Sequence, residues 1–205
     1  MNRTVVLASR NAHKVREIRS ILREINATVL SLEDFPDIPE IPETGETFAE
    51  NALIKARAVF EHTGLWTLSD DSGLEVDALG GAPGVYSARF AGKERDYAAN
   101  NRKLLEALQG IPPERRTARF RCVVAIVGPG VERTVEGVVE GRIIEELQGS
   151  GGFGYDPLFV PEGYEQTFAE LGEAVKNHIS HRARAFRKAG KVVQELWEKL
   201  ERMGK

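Results

Sequence analysis

Cysteine, histidine and long apolar runs are all scarce in this sequence of 205 residues. Cys122 is the single cysteine, so no disulfide can form within the chain, and four scattered histidines give no zinc-ligand spacing. We find no apolar run of about 18 residues and no N-terminal signal segment, so we expect a cytoplasmic protein that makes no use of a membrane. A net charge of -3 at pH 7 disfavours nucleic acid as a partner, because it offers no broad basic surface.

The rest of the composition is typical of a globular protein. Hydrophobic residues make up 41% of the chain and charged residues 29%, which is enough apolar material for a sizeable core. The length favours one domain that spans residues 1–205.

The most unusual stretch is SDDSGLEVDALGGAPGVYSARFAG, residues 69–92. Asp70 and Asp71 stand side by side after an apolar run, and neighbouring carboxylates are favoured where a cation or several donors lie beside them. Mg²⁺ suits such a pair, because it prefers carboxylate and water oxygens and often holds substrate phosphates as well. The same four residues, Asp-Asp-Ser-Gly, are also typical of a solvated turn, and both interpretations stay open at this point.

The N-terminal segment predicts a strand, a polar loop and an amphipathic helix. The apolar run at residues 4–8 is followed by SRNAHK, and apolar residues then recur at helical spacing from Val15. A helix N-terminus offers free N–H groups that suit a phosphate. Lys14 in the first turn opposes the helix dipole, as expected if an anion lies above it, while ordinary capping explains Ser9 and Asn11 equally well.

A second helix is predicted to begin at Thr47, because Thr47 and Glu50 have the spacing of a capping box. Asn51 and Lys55 are four residues apart and share one face of this helix. Glu43 lies in the loop before it. The acidic, proline-rich residues 30–42 have no periodicity and predict a crossing loop.

The central part of the chain predicts a helix over residues 96–108 and a hairpin. The first strand covers residues 117–127 and is apolar on both faces toward its end. Gly-Pro-Gly at 128–130 forms the turn, and alternating valine and glutamate residues form a half-exposed second strand.

The second glycine-dense segment is GSGGFGYD, residues 149–156. Phe153 and Tyr155 alternate with glycines there, which favours either a loop that brings an aromatic face close to a flat ligand or a tight turn whose aromatic residues merely pack.

A long final helix is predicted after Ser180, with a core stripe at Phe186, Val193, Leu196 or Trp197, Leu200 and Met203. Lys176, His181 and Arg182 cluster at its start, where cations oppose the helix dipole unless they reach toward an anion or a polar base.

Five segments follow one another along the chain: SRNAHKVREI, PETGETFAENALIKA, the 69–92 stretch, GGFGYDPLF and SHRARA. Together they make the sequence resemble the inosine/xanthosine triphosphate pyrophosphatases, which are house-cleaning enzymes for non-standard purine nucleotides. The resemblance covers nearly the whole chain. It implies an α/β fold in which an elongated mixed β-sheet is flanked by helices, with two lobes around a central cleft, and a homodimer. It also implies hydrolysis of ITP, dITP or XTP to the monophosphate and pyrophosphate, with Mg²⁺, or alternatively Mn²⁺, as the cofactor.

The resemblance also implies roles for individual residues. Asp71 matches the general base and a metal ligand, and Glu43 matches a second metal ligand. Substrate binding is implied for Ser9, Arg10, Asn11, Ala12, His13, Lys14, Ser72, Phe153, Gly154, Tyr155, Asp156, Lys176, His181 and Arg182. Within that set the 9–14 loop contacts phosphate, 153–156 stack on or contact the base, and Lys176, His181 and Arg182 select it. Asn51, Lys55 and Asp70 match positions near the triphosphate.

Two other functions compete with this one. A pyrophosphatase of the related fold that acts on modified pyrimidine triphosphates shares the opening loop, but GGFGYDP and SHR argue against it. A nucleotide sensor without turnover would have little reason to gather carboxylates near phosphates. Metal-dependent release of pyrophosphate separates enzyme from sensor, and base preference separates the two enzymes.

Overall fold

A computed structural model of the chain describes residues 3–92 and 95–204. The strands are β1 (Thr4–Leu7), β2 (Thr28–Ser31), β3 (Trp66–Val76), β4 (Thr117–Gly128), β5 (Val131–Ile143) and β6 (Phe159–Pro161). The α-helices are α1 (Ala12–Ile21), α2 (Phe48–Thr63), α3 (Tyr97–Ala107), α4 (Phe168–Leu171), α5 (Glu173–Ile179) and α6 (His181–Met203).

The strands form one mixed sheet in the order β2-β1-β3-β4-β5-β6. Strand β1 pairs in parallel with both β2 and β3, whereas β5 and β6 pair antiparallel. The predicted hairpin is confirmed, since only Pro129 and Gly130 separate β4 from β5. The expected mixed sheet flanked by helices is therefore correct.

Strand β2 lies partly where the sequence predicted an irregular loop from residue 30 onward. Leu30 and Ser31 pair with Val6 and Leu7 of β1, so the end of β2 extends into that segment. A four-residue strand leaves too short a pattern for periodicity to reveal, and its hydrogen-bond partners are distant in sequence.

The chain divides into two compact units. Met1–Asp71, Cys122–Gly137 and Arg182–Lys205 make the first, and Ser72–Arg121 and Val138–His181 make the second. Unit 1 has its core between β1, α1, β3, β4 and α6, where the rings of Trp66 and Trp197 meet edge to face with centroids 6.4 Å apart. Gly128 allows this packing, because a Cβ there would lie 2.5 Å from the Trp66 ring.

Unit 2 has an aromatic core of its own. Phe120 packs against Phe159 and Phe168, with ring centroids 4.6 and 6.2 Å away, and Leu104 of α3 and Leu108, which follows the helix, belong to the same cluster. The apolar stripe predicted for α3 therefore faces this core.

Helix α6 begins at His181, directly after Ser180 as predicted, and Phe186, Val193 and Trp197 are fully buried. The prediction that Met203 belongs to the core stripe is wrong, because this side chain in the last turn is 74% exposed. None of the helices in residues 3–92 and 95–204 is both long and apolar enough to cross a membrane.

Candidate active site

Strand β3 carries the two neighbouring carboxylates into the interior of the protein. Asp70 is 3% exposed and Asp71 is 6% exposed, and the strand continues through both residues to Val76. The alternative of a solvated Asp-Asp-Ser-Gly turn is therefore wrong. Because successive side chains of a strand point to opposite faces, the two carboxylates have different neighbours.

Asp71 is held by an amide and surrounded by charges of both signs. The Nδ2 of Asn51 donates to its Oδ2 at 3.1 Å. Burial is the main cause that raises the pKa of Asp71 to about 6, with Glu43 acting in the same direction, while Lys55, Lys14 and the Asn51 hydrogen bond act against it. A carboxyl group with this pKa is ionised at neutral pH and basic enough to accept a proton from water in a reaction.

Lys55 links the second candidate metal ligand to β3. Its Nζ lies 2.6 Å from Oε1 of Glu43 and donates to the backbone oxygen of Asp70 at 2.6 Å. Burial opposes the charged form, but Glu43, Asp70 and Asp71 outweigh it and raise the pKa of Lys55. The ammonium group is therefore a fixed positive charge among three carboxylates.

The start of α2 explains how Asn51 and Lys55 reach these positions. Thr47 caps the helix and forms the predicted capping box with Glu50. The N–H of Gly45 donates to Oδ1 of Asn51 at 2.7 Å, which leaves the amide NH₂ for Asp71. A Cβ at position 45 would lie 2.6 Å from the Cβ of Glu50, so this close approach requires glycine. As predicted, Asn51 and Lys55 share a face.

Asp70 faces cations instead. Its Oδ2 lies 3.2 Å from Nζ of Lys14 and 3.7 Å from Nε of Arg182, and the Sγ of Cys122 is 3.9 Å away. Arg182 also donates from Nη1 to Oε2 of Glu17 at 2.7 Å. Burial disfavours the guanidinium charge, but Glu17 and Asp70 outweigh it and raise the pKa of Arg182. A buried ionic chain thus runs from α6 through β3 to α1.

The loop before α1 forms the N-terminal cap of that helix. Asn11 is the N-cap, and its Oδ1 accepts from the N–H groups of His13 and Lys14. Ser9 accepts from the Asn11 N–H, and Arg10 donates to the carbonyl of Ile38. Ala12 and His13 are exposed and Lys14 is half-buried, while Ser72, on β3, is also half-buried.

Asp156 of unit 2 holds the conformation of the glycine-rich loop, which comprises residues 149–156. Its Oδ2 accepts from the Phe153 N–H at 3.1 Å and lies 2.6 Å from Nζ of Lys176. That Nζ is also 4.4 Å from the centroid of the Phe153 ring. Gly152 has a φ of +68°, and a Cβ there would collide with the Asp156 carboxylate, so glycine is required. The loop is an ordered platform with one half-exposed ring.

Two further predicted residues are buried in unit 2. Tyr155 donates from its hydroxyl to the carbonyl of Ser87 at 2.7 Å, and burial raises the pKa of its phenol. The His181 ring stacks on Phe120 with centroids 4.8 Å apart.

Two of the three residues predicted at the start of the final helix have carboxylate partners. Lys176 lies in α5 and pairs with Asp156, whereas Arg182 at the start of α6 pairs with Glu17 and Asp70. Each cation has a carboxylate partner, which explains why it is tolerated there.

A comparison with known proteins identifies the relatives of this chain. Residues 5–192 match the model of the Ham1 family. The chain belongs to the Ham1 family.

Curated relatives extend over nearly the full length. A dITP/XTP pyrophosphatase of Desulforamulus reducens is 55% identical over 194 residues, which cover 94% of this chain and 96% of that protein. The dITP/XTP pyrophosphatase of Bacillus subtilis is 49% identical and covers 92% of this chain and 96% of its own. The resemblance inferred from the five motifs is thus confirmed.

Solved structures share the fold. The HAM1 protein from Coxiella burnetii superposes with a TM-score of 0.85 at 42% identity and covers 94% of this chain and 98% of its own. A nucleoside-triphosphatase / dITP/XTP pyrophosphatase from Mycobacterium abscessus has a TM-score of 0.74 at 48% identity, with 91% and 98% covered.

Three residues that contact predicted site residues were not themselves predicted from the sequence. Glu17 lies between the apolar positions of α1 and is buried with Arg182. A charged residue on the apolar face of a helix was the feature of the sequence that could have identified it. Asn101 lies one turn and Tyr97 two turns before Leu104 and Leu105 on the apolar stripe of α3, and both contact the glycine-rich loop. An amide on an apolar stripe was a similar feature.

Proposed function

We propose that this protein hydrolyses ITP, dITP and XTP to the nucleoside monophosphate and pyrophosphate, and so removes non-standard purine nucleotides. The observation that carries the proposal is the buried Asp71, with its pKa raised to about 6, beside Glu43 and the two lysines Lys14 and Lys55. Relatives about half identical in sequence are named dITP/XTP pyrophosphatases, which supports this choice of substrates.

The donor set fits a divalent metal ion that the substrate helps to bind. Among residues 3–92 and 95–204 there is no group of three or more His, Cys, Asp or Glu side chains able to hold a metal. Mg²⁺ needs no such cage, because one or two carboxylates usually bind it together with substrate phosphates and water. Glu43 and Asp71 would hold Mg²⁺, or alternatively Mn²⁺. The ion would offset triphosphate charge and orient the substrate for attack.

The side chains around Asp71 supply the rest of the chemistry. The Asp71 carboxylate accepts a proton from the attacking water, whose oxygen bonds to the α-phosphorus as the bond to the bridging oxygen breaks and pyrophosphate leaves. General-base assistance of this kind contributes about 10²–10⁴-fold to the rate. Asn51 holds the carboxylate in one orientation, while Lys14, Lys55 and the positive end of the α1 helix dipole stabilise negative charge on the phosphate oxygens.

Selection against ATP rests on the oxygen at position 6, whereas exclusion of GTP, which shares that oxygen, must depend on the amino group at position 2. Hypoxanthine and xanthine carry an acceptor at position 6, whereas adenine carries an amino donor. Arg182 or a backbone N–H would donate to that oxygen, and adenine would leave the donor unpaired. Sites of this kind discriminate by about 10⁴ or more. Phe153 would stack on the base, with Gly154, Tyr155, Asp156, Lys176 and His181 around it.

We further propose, from the family resemblance, that the protein works as a cytoplasmic homodimer.

Pyrophosphate release from ITP, XTP, dITP, ATP, GTP and dTTP, each with and without Mg²⁺, tests the function. We expect metal-dependent release confined to ITP, dITP and XTP. Turnover of dTTP instead would assign the protein to the pyrimidine-specific group, and binding of ITP without release would make it a sensor. Either result would overturn the proposal.

A further inference from the structure

Helix α3 contacts the glycine-rich loop through two side chains on one face. Tyr97 and Asn101 are four residues apart and therefore neighbours on the helix surface. The ring of Tyr97 contacts the ring of Phe153, with centroids 6.0 Å apart and planes inclined by 43°. The Nδ2 of Asn101 donates to the carbonyl of Gly154 at 3.0 Å. The helix thus fixes two consecutive residues of the loop, one by its ring and one by its backbone.

Asp156 and Lys176 fix the same loop independently of α3. Asp156 holds the backbone N–H of Phe153, and the ammonium of Lys176 lies 4.4 Å from the Phe153 centroid. Phe153 is half-exposed, whereas Asp156 and Lys176 are almost fully buried. Tyr97 is half-exposed as well, so the Tyr97–Phe153 contact lies where the ring meets solvent.

We infer that Tyr97 and Asn101 are positioning residues that set the affinity for the purine base by orienting Phe153. This inference rests on the proposed function, in which Phe153 stacks on the base. A flat ligand gains most from a ring that already has the bound orientation, because ordering a free side chain on binding lowers affinity. Both contacts are made to the glycine-rich loop, so we expect the two residues to act on binding and to leave the rate of the chemical step unchanged.

Asn101 allows this role to be separated from a contribution to folding. Its Oδ1 is buried and has no hydrogen-bond partner within residues 3–92 and 95–204. Removal of the unpaired buried acceptor favours the fold, whereas loss of the hydrogen bond to the Gly154 carbonyl disfavours it, so the two effects on stability oppose each other. Asn101→Leu is therefore expected to change the thermal midpoint little while it releases the Gly154 carbonyl.

The experiment compares steady-state hydrolysis of ITP by the full-length protein and its variants. We expect Tyr97→Ala and Asn101→Leu each to raise KM about three- to tenfold with kcat within twofold of the unchanged protein, since one aromatic contact or hydrogen bond has about that effect. Tyr97→Phe retains the ring and should retain KM. Arg102→Ala, at an exposed position of α3, is the matched control and should change nothing.

Product inhibition distinguishes a role in orienting Phe153 from a general structural role, because a structural defect would weaken the binding of both products. We expect the two variants to weaken inhibition by IMP, which carries the base, and to leave inhibition by pyrophosphate unchanged. Phe153→Ala serves as the benchmark for base stacking. If Phe153→Ala raises KM and Tyr97→Ala and Asn101→Leu do not, the inference is wrong while the proposed function stands. If Phe153→Ala itself leaves KM unchanged, the stacking role in the proposed function is wrong. Equal weakening of IMP and pyrophosphate would also overturn the inference.

Discussion

Asn51 donates its side-chain amide to Asp71 while the N–H of Gly45 occupies the oxygen of the same amide. Because the Asn51 oxygen is taken, the NH₂ group faces the carboxylate, and Asp71 is held in one orientation inside the protein. Asn51 lies four residues after Thr47, the N-cap of α2, so the start of this helix determines how the candidate general base is oriented.

The charges around Asp71 predict two variants with opposite effects. Glu43 raises the pKa of Asp71 and Lys55 lowers it. Glu43→Gln is therefore expected to lower the pKa of Asp71 below about 6, and Lys55→Met to raise it above that value. A ¹³C NMR titration of the Asp71 carboxyl carbon in EDTA, which removes any bound metal, measures both. Shifts of the same sign in the two variants would contradict this description of the site.

Asp71 is also predicted to reduce stability at neutral pH. Its pKa is raised from 3.8 to about 6 by burial, so the folded protein holds the proton more tightly than the unfolded chain. The stability that protonation provides is complete below about pH 4 and is lost as the pH rises through 6. Asp71→Asn stays neutral and is expected to increase the free energy of unfolding by about 1–3 kcal/mol at pH 7.5.

Urea unfolding in EDTA at pH 4 and pH 7.5 checks that expectation. The difference between Asp71→Asn and the unchanged protein should shrink toward zero at pH 4. A difference that does not depend on pH would mean that the effect comes from packing and not from the charge.

The α2 cap is expected to contribute about 1 kcal/mol to stability. Thr47→Ala removes the oxygen that accepts the Glu50 N–H, and loss of such a cap costs roughly 0.5–2 kcal/mol. Urea unfolding measures it, with Thr134→Ala at an exposed position of β5 as the control, expected to lie within about 0.5 kcal/mol. If both variants lose the same stability, the cap has no special role.

Arg182 is predicted to affect selectivity more than phosphate chemistry. Arg182→Ala would leave Glu17 buried without its partner, which typically costs about 3–5 kcal/mol, so Arg182→Lys is the better variant because it keeps the positive charge. We expect the ratio of kcat/KM for ITP over ATP to fall at least tenfold while kcat for ITP changes little. Arg184→Lys, at an exposed position on the same helix, controls for the loss of a guanidinium. An unchanged ratio in Arg182→Lys argues against this role.

Local chemistry made part of the site predictable from sequence. The Asn11 cap, the Thr47–Glu50 capping box and the shared face of Asn51 and Lys55 depend on residues within four positions of one another, and the structure has all of them. The Asp-Asp pair was identified as unusual, but whether it lay in a turn or a buried strand depended on neighbours that the local pattern does not contain.

Long-range pairing explains what sequence analysis missed. Glu17 and Arg182 are 165 positions apart, so the sequence around one residue does not indicate that the other is its partner. Arg182 alone predicted only a cation near a helix start. Strand β2 is defined by its pairing with β1 and was missed for the same reason. The contact of Tyr97 with Phe153 likewise depends on how α3 packs in unit 2.

The most direct test of the central claim is the initial rate of pyrophosphate release from dITP with saturating Mg²⁺, for the unchanged protein, Asp71→Asn and the control Asp37→Asn at an exposed loop position. We predict that Asp71→Asn lowers kcat by about 10²–10⁴-fold while circular dichroism shows an intact fold, and that Asp37→Asn has no effect. A turnover by Asp71→Asn that matches the unchanged protein would show that Asp71 is not the general base.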